Sequence, residues 1–97
     1  MGVSGATSVW KYEIEVDETF TREMPEHARV LHVGVQAGTP CMWVQVAPGN
    51  KIETRTFHCH GTGHSIPLGR VHLGSFMLLD GAFVGHLFEP DAIARRG

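Results

Sequence analysis

Histidine is the residue type in this chain that is best suited to chemistry. The 97 residues include seven histidines, three of them close together in sequence. His58 and His60 are separated by one residue, so in a β-strand both imidazoles leave the same face, and the flexible segment 61–63 can bring His64 round to join them. Three neutral imidazoles can hold a zinc ion that keeps one position open for an activated water. The spacing therefore permits a zinc site of His58, His60 and His64 with a hydrolytic role, although no carboxylate between residues 53 and 80 offers a base.

The segment Gly61-Thr62-Gly63-His64 indicates a second kind of site. Two glycines separated by one residue let successive backbone N–H groups turn toward a common point, as they do in short loops that hold anions. Thr62 and His64 would add side-chain donors, and an arginine would supply the charge. The ligand-binding hypothesis is therefore capture of a small nucleotide or another anion by a set of six residues, namely Gly61, Thr62, Gly63, His64, Arg55 and Arg70.

The sequence does not favour nucleophilic catalysis. Cys59 lies between two histidines, but neighbouring side chains of a strand leave opposite faces, so neither imidazole easily reaches its sulfur. Ser65 follows His64 directly, and the loop has no carboxylate to orient the base. We expect no catalytic residues and no cofactor, and hence a protein that is not an enzyme.

Alternation of apolar and polar residues with period two predicts the elements that must position these groups. It predicts six strands, at 10–16, 29–36, 41–47, 52–60, 70–79 and 82–89. The stretch 19–28 mixes polar residues with Pro25, and we expect a connection there with room for a turn of helix. Residues 91–97 are too few to hold a helix alone, and we expect flexible ends at 1–8 and 91–97.

Three turns predict how the strands pair. A turn at Gly38-Thr39 would place Trp43 across from Gly34. A hairpin mirrored about Asn50 would place Trp43 opposite Phe57, and likewise Gln45 opposite Arg55 and Cys41 opposite Cys59.

Asp80-Gly81 is the strongest hairpin signal, since a type I′ turn needs positive φ at both central residues. It would place Phe76 opposite Gly85 and Ser75 opposite His86, and we expect Ser75 to be the hydrogen-bond partner of His86.

These elements predict an all-β fold, namely a small antiparallel sandwich or partly open barrel of about six strands joined by hairpins, in a single domain over residues 1–97. The hairpin about Asn50 would turn Trp43 and Phe57 away from the valine-rich face. Both faces would then need cover, from the sheet itself or from a second copy in a homodimer.

The composition of the chain argues against two classes of partner, nucleic acids and membranes. The chain has 8 Lys and Arg against 10 Asp and Glu, a formal charge of −2, and its basic residues are scattered, so we expect no nucleic acid partner. No apolar run approaches the ~20 residues that span a bilayer, and we expect no membrane partner. The stretch MGVSGATSVW lacks the features of a secretion signal, and Cys41 and Cys59 make no disulfide framework, so we expect a cytoplasmic protein with free thiols.

Eight short segments occur in order between Trp10 and Glu89: W-K-Y at 10–12, M-P-E-H-A at 24–28, V-L-H-V at 30–33, C-M-W-V at 41–44, R-T-F at 55–57, G-T-G-H at 61–64, L-G-S-F at 73–76 and H-L-F-E at 86–89. The most specific parts are the R-x-F strand that runs into G-T-G-H and the closing H-x-F-E. In this order the segments resemble an uncharacterised family of small proteins found mostly in bacteriophage genomes, including phages of actinobacteria.

The resemblance implies a phage accessory protein and no particular activity. His64 and His86 match its pattern, whereas His58 and His60 fall where the pattern does not call for histidine. Together with the small size and the missing acid–base constellation, it leads us to expect a protein of the host cytoplasm that binds. The partner would be a host protein, contacted through a sheet face or an exposed sheet edge, whose activity is modulated.

Overall fold

The computed structural model describes residues 5–91 and confirms an all-β fold. The strands are β1 (Ser8–Glu13), β2 (Phe20–Pro25), β3 (Arg29–Gln36), β4 (Thr39–Val46), β5 (Ile52–Gly61), β6 (Arg70–Leu78) and β7 (Phe83–Pro90), with a 3₁₀ turn at Leu79–Gly81. No helix in this range is long and apolar enough to cross a membrane. The predicted flexible ends and the predicted turn at 91–97 fall largely on residues 1–4 and 92–97, which lie outside the described range, while β1 already begins at Ser8.

The strands form two antiparallel sheets that are not closed into a barrel. One sheet has the order β1-β4-β3 and the other β2-β5-β7-β6. Of the two predicted architectures, the sandwich is therefore the correct one. Twelve buried residues fill the space between the sheets: Ile14, Phe20, Met24, Ala28, Val33, Met42, Val44, Val46, Phe57, Cys59, Phe76 and Leu87.

The stretch predicted as a connection at 19–28 contains strand β2, so the number of strands is seven. Phe20 and Met24 are buried, while Thr21 and Glu23 between them are exposed, which is the alternation of an edge strand with one wet face. Pro25 ends the strand, where its missing N–H costs no ladder hydrogen bond. The prediction of a connection without a strand over 19–28 is therefore wrong.

The predicted hairpin about Asn50 is also wrong, because β4 and β5 belong to different sheets. The Asn50 N–H donates to the Ala47 oxygen at 2.9 Å, and the turn carries the chain from one sheet to the other. Trp43 pairs with His32 and Lys11, and Phe57 pairs with Phe20. Phe57 is fully buried and faces the same core as the valine-rich strands, from the opposite sheet.

The β3–β4 hairpin turns at Ala37-Gly38, with φ of 51° and 82°, one residue earlier than predicted. Trp43 therefore lies opposite His32 and diagonal to Gly34. Its ring still lies against that glycine, 3.8 Å from the position of a Cβ.

A bulge between Val30 and His32 breaks the alternation of β3. As a result, Val33 is buried in this strand, while Leu31 and Val35 are exposed.

The β6–β7 hairpin confirms the prediction from Asp80-Gly81. These residues have φ of 55° and 89°, and the Ala82 N–H donates to the Leu79 oxygen at 3.0 Å. Phe76 pairs with Gly85 and Ser75 with His86. A Cβ at Gly85 would overlap the Phe76 ring, so the absent side chain is what lets this ring lie in the core.

Candidate functional site

Four of the seven histidines share the outer face of the four-stranded sheet. His58 and His60 project from β5, His86 and Phe88 from β7, and His72 and Arg70 from β6, with Phe88 paired to both His58 and His72. The Phe88 ring lies 5.5 Å from the His60 ring and 5.2 Å from the His72 ring. We call this set, His58, His60, Arg70, His72, Ser75, His86 and Phe88, the histidine face.

His58 and His60 are the buried members of the histidine face. Their exposed fractions are 8% and 3%, and their rings are 6.4 Å apart. His58 Nδ1 lies 3.1 Å from Thr19 Oγ1, and Arg70 Nη1 lies 2.7 Å from His60 Nε2. Because a guanidinium only donates, the His60 Nε2 atom must accept this hydrogen bond. Burial, and then the positive charge of Arg70, lower the pKa of His58 below its ordinary value.

The more exposed members of the histidine face, His72, Ser75 and His86, form a chain of hydrogen bonds. His72 Nε2 lies 3.0 Å from Ser75 Oγ, which lies 2.7 Å from His86 Nδ1. The other nitrogen of His86, Nε2, lies 2.8 Å from Thr62 Oγ1. The predicted Ser75–His86 contact is confirmed, and His86 is half-buried on the sheet surface. Since each hydroxyl can donate in either direction, the chain can change its proton positions without losing a contact.

Two backbone N–H groups of the loop from Gly61 to His64 already take part in hydrogen bonds within the fold. The Thr62 N–H donates to the Val84 oxygen at 3.3 Å, and the His64 N–H donates to the Gly61 oxygen at 3.1 Å. The His64 ring packs against Gly61. Two of the backbone donors that would hold an anion in this loop therefore already have acceptors.

The two candidate arginines lie apart from this loop. Arg55 is 8% exposed and its guanidinium bonds inside the sandwich, 2.6 Å from Glu89 Oε1 and 2.8 Å from the Ala28 oxygen. Arg70 reaches His60 on the histidine face. The structure thus brings Thr62 to His86, and the side-chain hydrogen bonds of the two arginines within the described residues go to groups outside the loop.

The three histidines of the zinc hypothesis are not arranged as one cluster. His58 and His60 are each bonded to another side chain, and His64 lies against Gly61. Within residues 5–91, no group of three His, Cys, Asp or Glu side chains is placed to hold a metal ion. Cys59 lies in the core, where burial raises the pKa of its thiol.

A cavity of about 290 Å³ adjoins the glycine loop. Gly61, His64 and Ser65 form one wall, and Val16 and Glu18 of the β1–β2 connection form another. Cys59, His60 and Phe83 complete the lining. Sequence reasoning gave no signal for this cavity, since the β1–β2 connection reaches it only through the fold.

A second surface lies where the β3–β4 and β6–β7 hairpins end side by side. Val35, Met77 and Leu79 are exposed there by 40%, 65% and 78%, around a shallow depression of about 590 Å³. We call the lining residues, Val35, Gly38, Met77, Leu78, Leu79, Asp80 and Gly81, the hairpin-tip surface. Period-two alternation does not reveal it, because Gly38, Leu79, Asp80 and Gly81 lie in turns and the surface forms only where two hairpins meet.

The comparisons with known proteins gave one finding. A family model described as a domain of unknown function, DUF7352, matches residues 6–96. The searches of curated proteins and of solved structures returned no match. Because the model covers nearly the whole sandwich, the chain belongs to the DUF7352 family.

Proposed function

We propose that this protein is a small phage-encoded accessory protein that acts in the host cytoplasm by binding a host protein and modulating its activity. The single observation that carries the binding role is the hairpin-tip surface. Phage origin is supported by the ordered segments from Trp10 to Glu89, and a cytoplasmic location is supported by two free thiols, Cys41 and Cys59.

Leu79 is the central residue of the hairpin-tip surface. Its side chain is 78% exposed, and its φ of 57° lies in the left-handed region that a branched side chain rarely adopts. Backbone strain of this kind is concentrated at functional positions, where the surrounding structure holds it in place. The strain presents a leucine side chain to solvent beside Met77, which supports a contact role for both.

The chemistry of the hairpin-tip surface favours a protein over a small ligand. Small ligands bind in concave pockets that enclose most of their surface, whereas this depression is shallow and its lining is mostly apolar. Methionine and large apolar side chains are typical of the centre of protein interfaces. Asp80 is the one charged residue of the surface. The partner we propose is therefore a host protein with an apolar patch bordered by a lysine or arginine.

The test compares three full-length baits in a host lysate: the unchanged chain, Leu79→Asp and the control Leu68→Asp. Leu68 is fully exposed and lies outside the hairpin-tip surface, so the control makes the same chemical change elsewhere. We expect a stoichiometric partner that the unchanged chain and Leu68→Asp retain and that Leu79→Asp loses. With the purified partner, Leu79→Asp should weaken the Kd by about tenfold or more, the effect of losing an interface hot spot.

Two results would overturn this proposal. One is a partner that all three baits retain equally, which would place the interface elsewhere. The other is the absence of any stoichiometric partner of the unchanged chain.

A second candidate function is capture of a small nucleotide, and the cavity beside the G-T-G-H segment favours it. The volume of about 290 Å³ suits a nucleobase-sized group. Phe83 and Val16 offer apolar contacts, and the Glu18 carboxylate can accept from an exocyclic amine. Calorimetric titration with cyclic and linear nucleotides should show binding that His64→Ala abolishes, and flat titrations would exclude it. The zinc hypothesis has no comparable support, because no group of three His, Cys, Asp or Glu side chains within the described residues is placed to hold a metal ion.

A further inference from the structure

Arg70 differs from the other arginines whose contacts the structure gives. Arg22 pairs with Glu15, and Arg55 pairs with Glu89 and Glu53. The ion pairs among residues 5–91 do not include Arg70, which is half-buried on the sheet surface. Its one hydrogen bond in that range goes to a neutral acceptor, His60 Nε2, at 2.7 Å. A guanidinium has five N–H donors in a planar fork that matches the oxygens of an anion.

The groups that share the histidine face with Arg70 are mainly imidazoles, and two acidic residues, Glu18 and Asp91, lie next to the face. His58 and His60 approach from β5 and His86 from β7, while His72 lies two residues further along β6 on the same face. Glu18 is close enough to His58 to act on its pKa. The Asp91 N–H donates to the Gly69 oxygen at 2.7 Å, just before Arg70. The centre of the face therefore holds a fixed positive charge among imidazoles.

The hydrogen-bond chain can adapt to an incoming anion. With the proton of His86 on Nδ1 and that of His72 on Nε2, both imidazoles donate to Ser75 Oγ, and Thr62 donates to His86 Nε2. The donor–acceptor distances of 2.7 to 3.0 Å along the chain accommodate this arrangement without movement. It leaves the Ser75 hydroxyl proton free for a ligand oxygen. A face that can donate from both arginine and serine is suited to an oxyanion.

We propose that the histidine face is a binding site for a phosphate group, with Arg70 as its anchor and the Ser75 hydroxyl as the second donor. The site is separate from the hairpin-tip surface, and it shares His60 with the lining of the cavity beside His64. It lies on an open sheet face with a single fixed charge, so the affinity for inorganic phosphate is modest, with a Kd on the order of 1 mM.

The test is an NMR titration of the histidine ring protons of the full chain with inorganic phosphate, at constant ionic strength and pH. We expect saturable shifts of His58, His60 and His72, while the signals of His27 and His32 stay unchanged. Phosphate should also raise the pKa of His58, because an anion beside Arg70 offsets the positive charge that helps to lower it.

Two arginine variants provide a matched comparison. Arg70→Gln should weaken phosphate binding by about tenfold, since it removes the charge from the hydrogen bond. Arg29→Gln makes the same change at an exposed position of β3 in the other sheet and should leave binding unchanged. His64→Ala should also leave it unchanged, which separates this site from the cavity beside the G-T-G-H segment.

Further titrations with adenosine monophosphate and adenosine identify the source of the phosphate. Tighter binding of the monophosphate than of inorganic phosphate, with no binding of adenosine, would support a phosphorylated metabolite. Equal binding of the monophosphate and inorganic phosphate would support the free anion. The proposal is overturned if the shifts do not saturate, if all histidines move together, or if Arg29→Gln weakens binding as much as Arg70→Gln.

Discussion

At the scale of single residues, sequence reasoning found part of the histidine face. Ser75 and His86 were placed opposite each other by the hairpin signal, and the structure confirms their contact. His72 was missed, because residues three apart in a regular strand leave opposite faces. A bulge between His72 and Gly74 brings His72 and Ser75 to one face. Short sequence patterns do not predict such bulges, so the chain of hydrogen bonds through His72, Ser75 and His86 was not predictable.

The most specific segments of the resemblance contact one another in the fold. Arg55 of R-x-F pairs with Glu89 of H-x-F-E, and Thr62 of G-T-G-H contacts His86 of H-x-F-E. The Arg55 guanidinium also bonds the Ala28 oxygen, so it connects β5, β7 and the β2–β3 connection. Arg55 was predicted as an anion ligand, yet its position gives it a role in stability.

We predict that Glu89→Gln destabilises the fold by about 2–3 kcal/mol, because it leaves the buried Arg55 charge with only the more distant and more exposed Glu53 carboxylate. The control is Glu53→Gln, whose carboxylate lies 4.0 Å from Arg55 and is 37% exposed. It should change the free energy of unfolding by about 0.5 kcal/mol or less. Urea unfolding measures both, and equal effects would contradict the assigned role of the Arg55–Glu89 pair.

At the scale of elements, alternation predicted where strands lie better than it predicted which strands pair. The β6–β7 register followed from Asp80-Gly81, since a primed turn commits the two flanking strands to each other. Pro48-Gly49-Asn50 is also rich in turn residues, but the same residues can carry a chain between two sheets. Alternation is satisfied in both cases, because each strand keeps one face toward the core.

We predict that Gly85→Ala destabilises the β6–β7 hairpin by about 1–3 kcal/mol, the usual range for overpacking. The new Cβ would overlap the Phe76 ring, which is 3% exposed and enclosed by the core. Gly49→Ala is the matched control, because no atom lies within 4 Å of its Cβ position. Thermal or urea unfolding compares the two variants, and a Gly85→Ala protein as stable as Gly49→Ala would contradict the packing described here.

At the scale of the whole molecule, the all-β class was predictable, with a sandwich as one of two architectures, because six short strands without an amphipathic helix leave few ways to bury an apolar face. The division of the strands into sheets of three and four was not predictable from the sequence. It depends on the arch at Ala47–Asn50 and on the close approach of β3 to β6. A Cβ at Gly74 would lie 2.6 Å from the Val33 Cβ, so the two sheets meet closely along that side.

We predict that both sheets unfold in one cooperative transition, since one cluster of buried residues joins them. The two tryptophans, Trp10 and Trp43, lie in β1 and β4 of the three-stranded sheet. Their fluorescence therefore reports on that sheet, while the ring protons of His58 and His60 report on the other. The two probes should give the same urea midpoint, and separate midpoints would show that the sheets are independent units.

The positive φ of Leu79 affects how selection for stability would act on this chain. A leucine at that φ costs the fold about 1 kcal/mol relative to glycine, which adopts the same backbone freely. Selection for thermostability alone would thus replace it with glycine, and that gain would remove the most exposed apolar side chain of the tip. Leu79 is the position where a stabilising change and a loss of the proposed partner binding are expected to coincide.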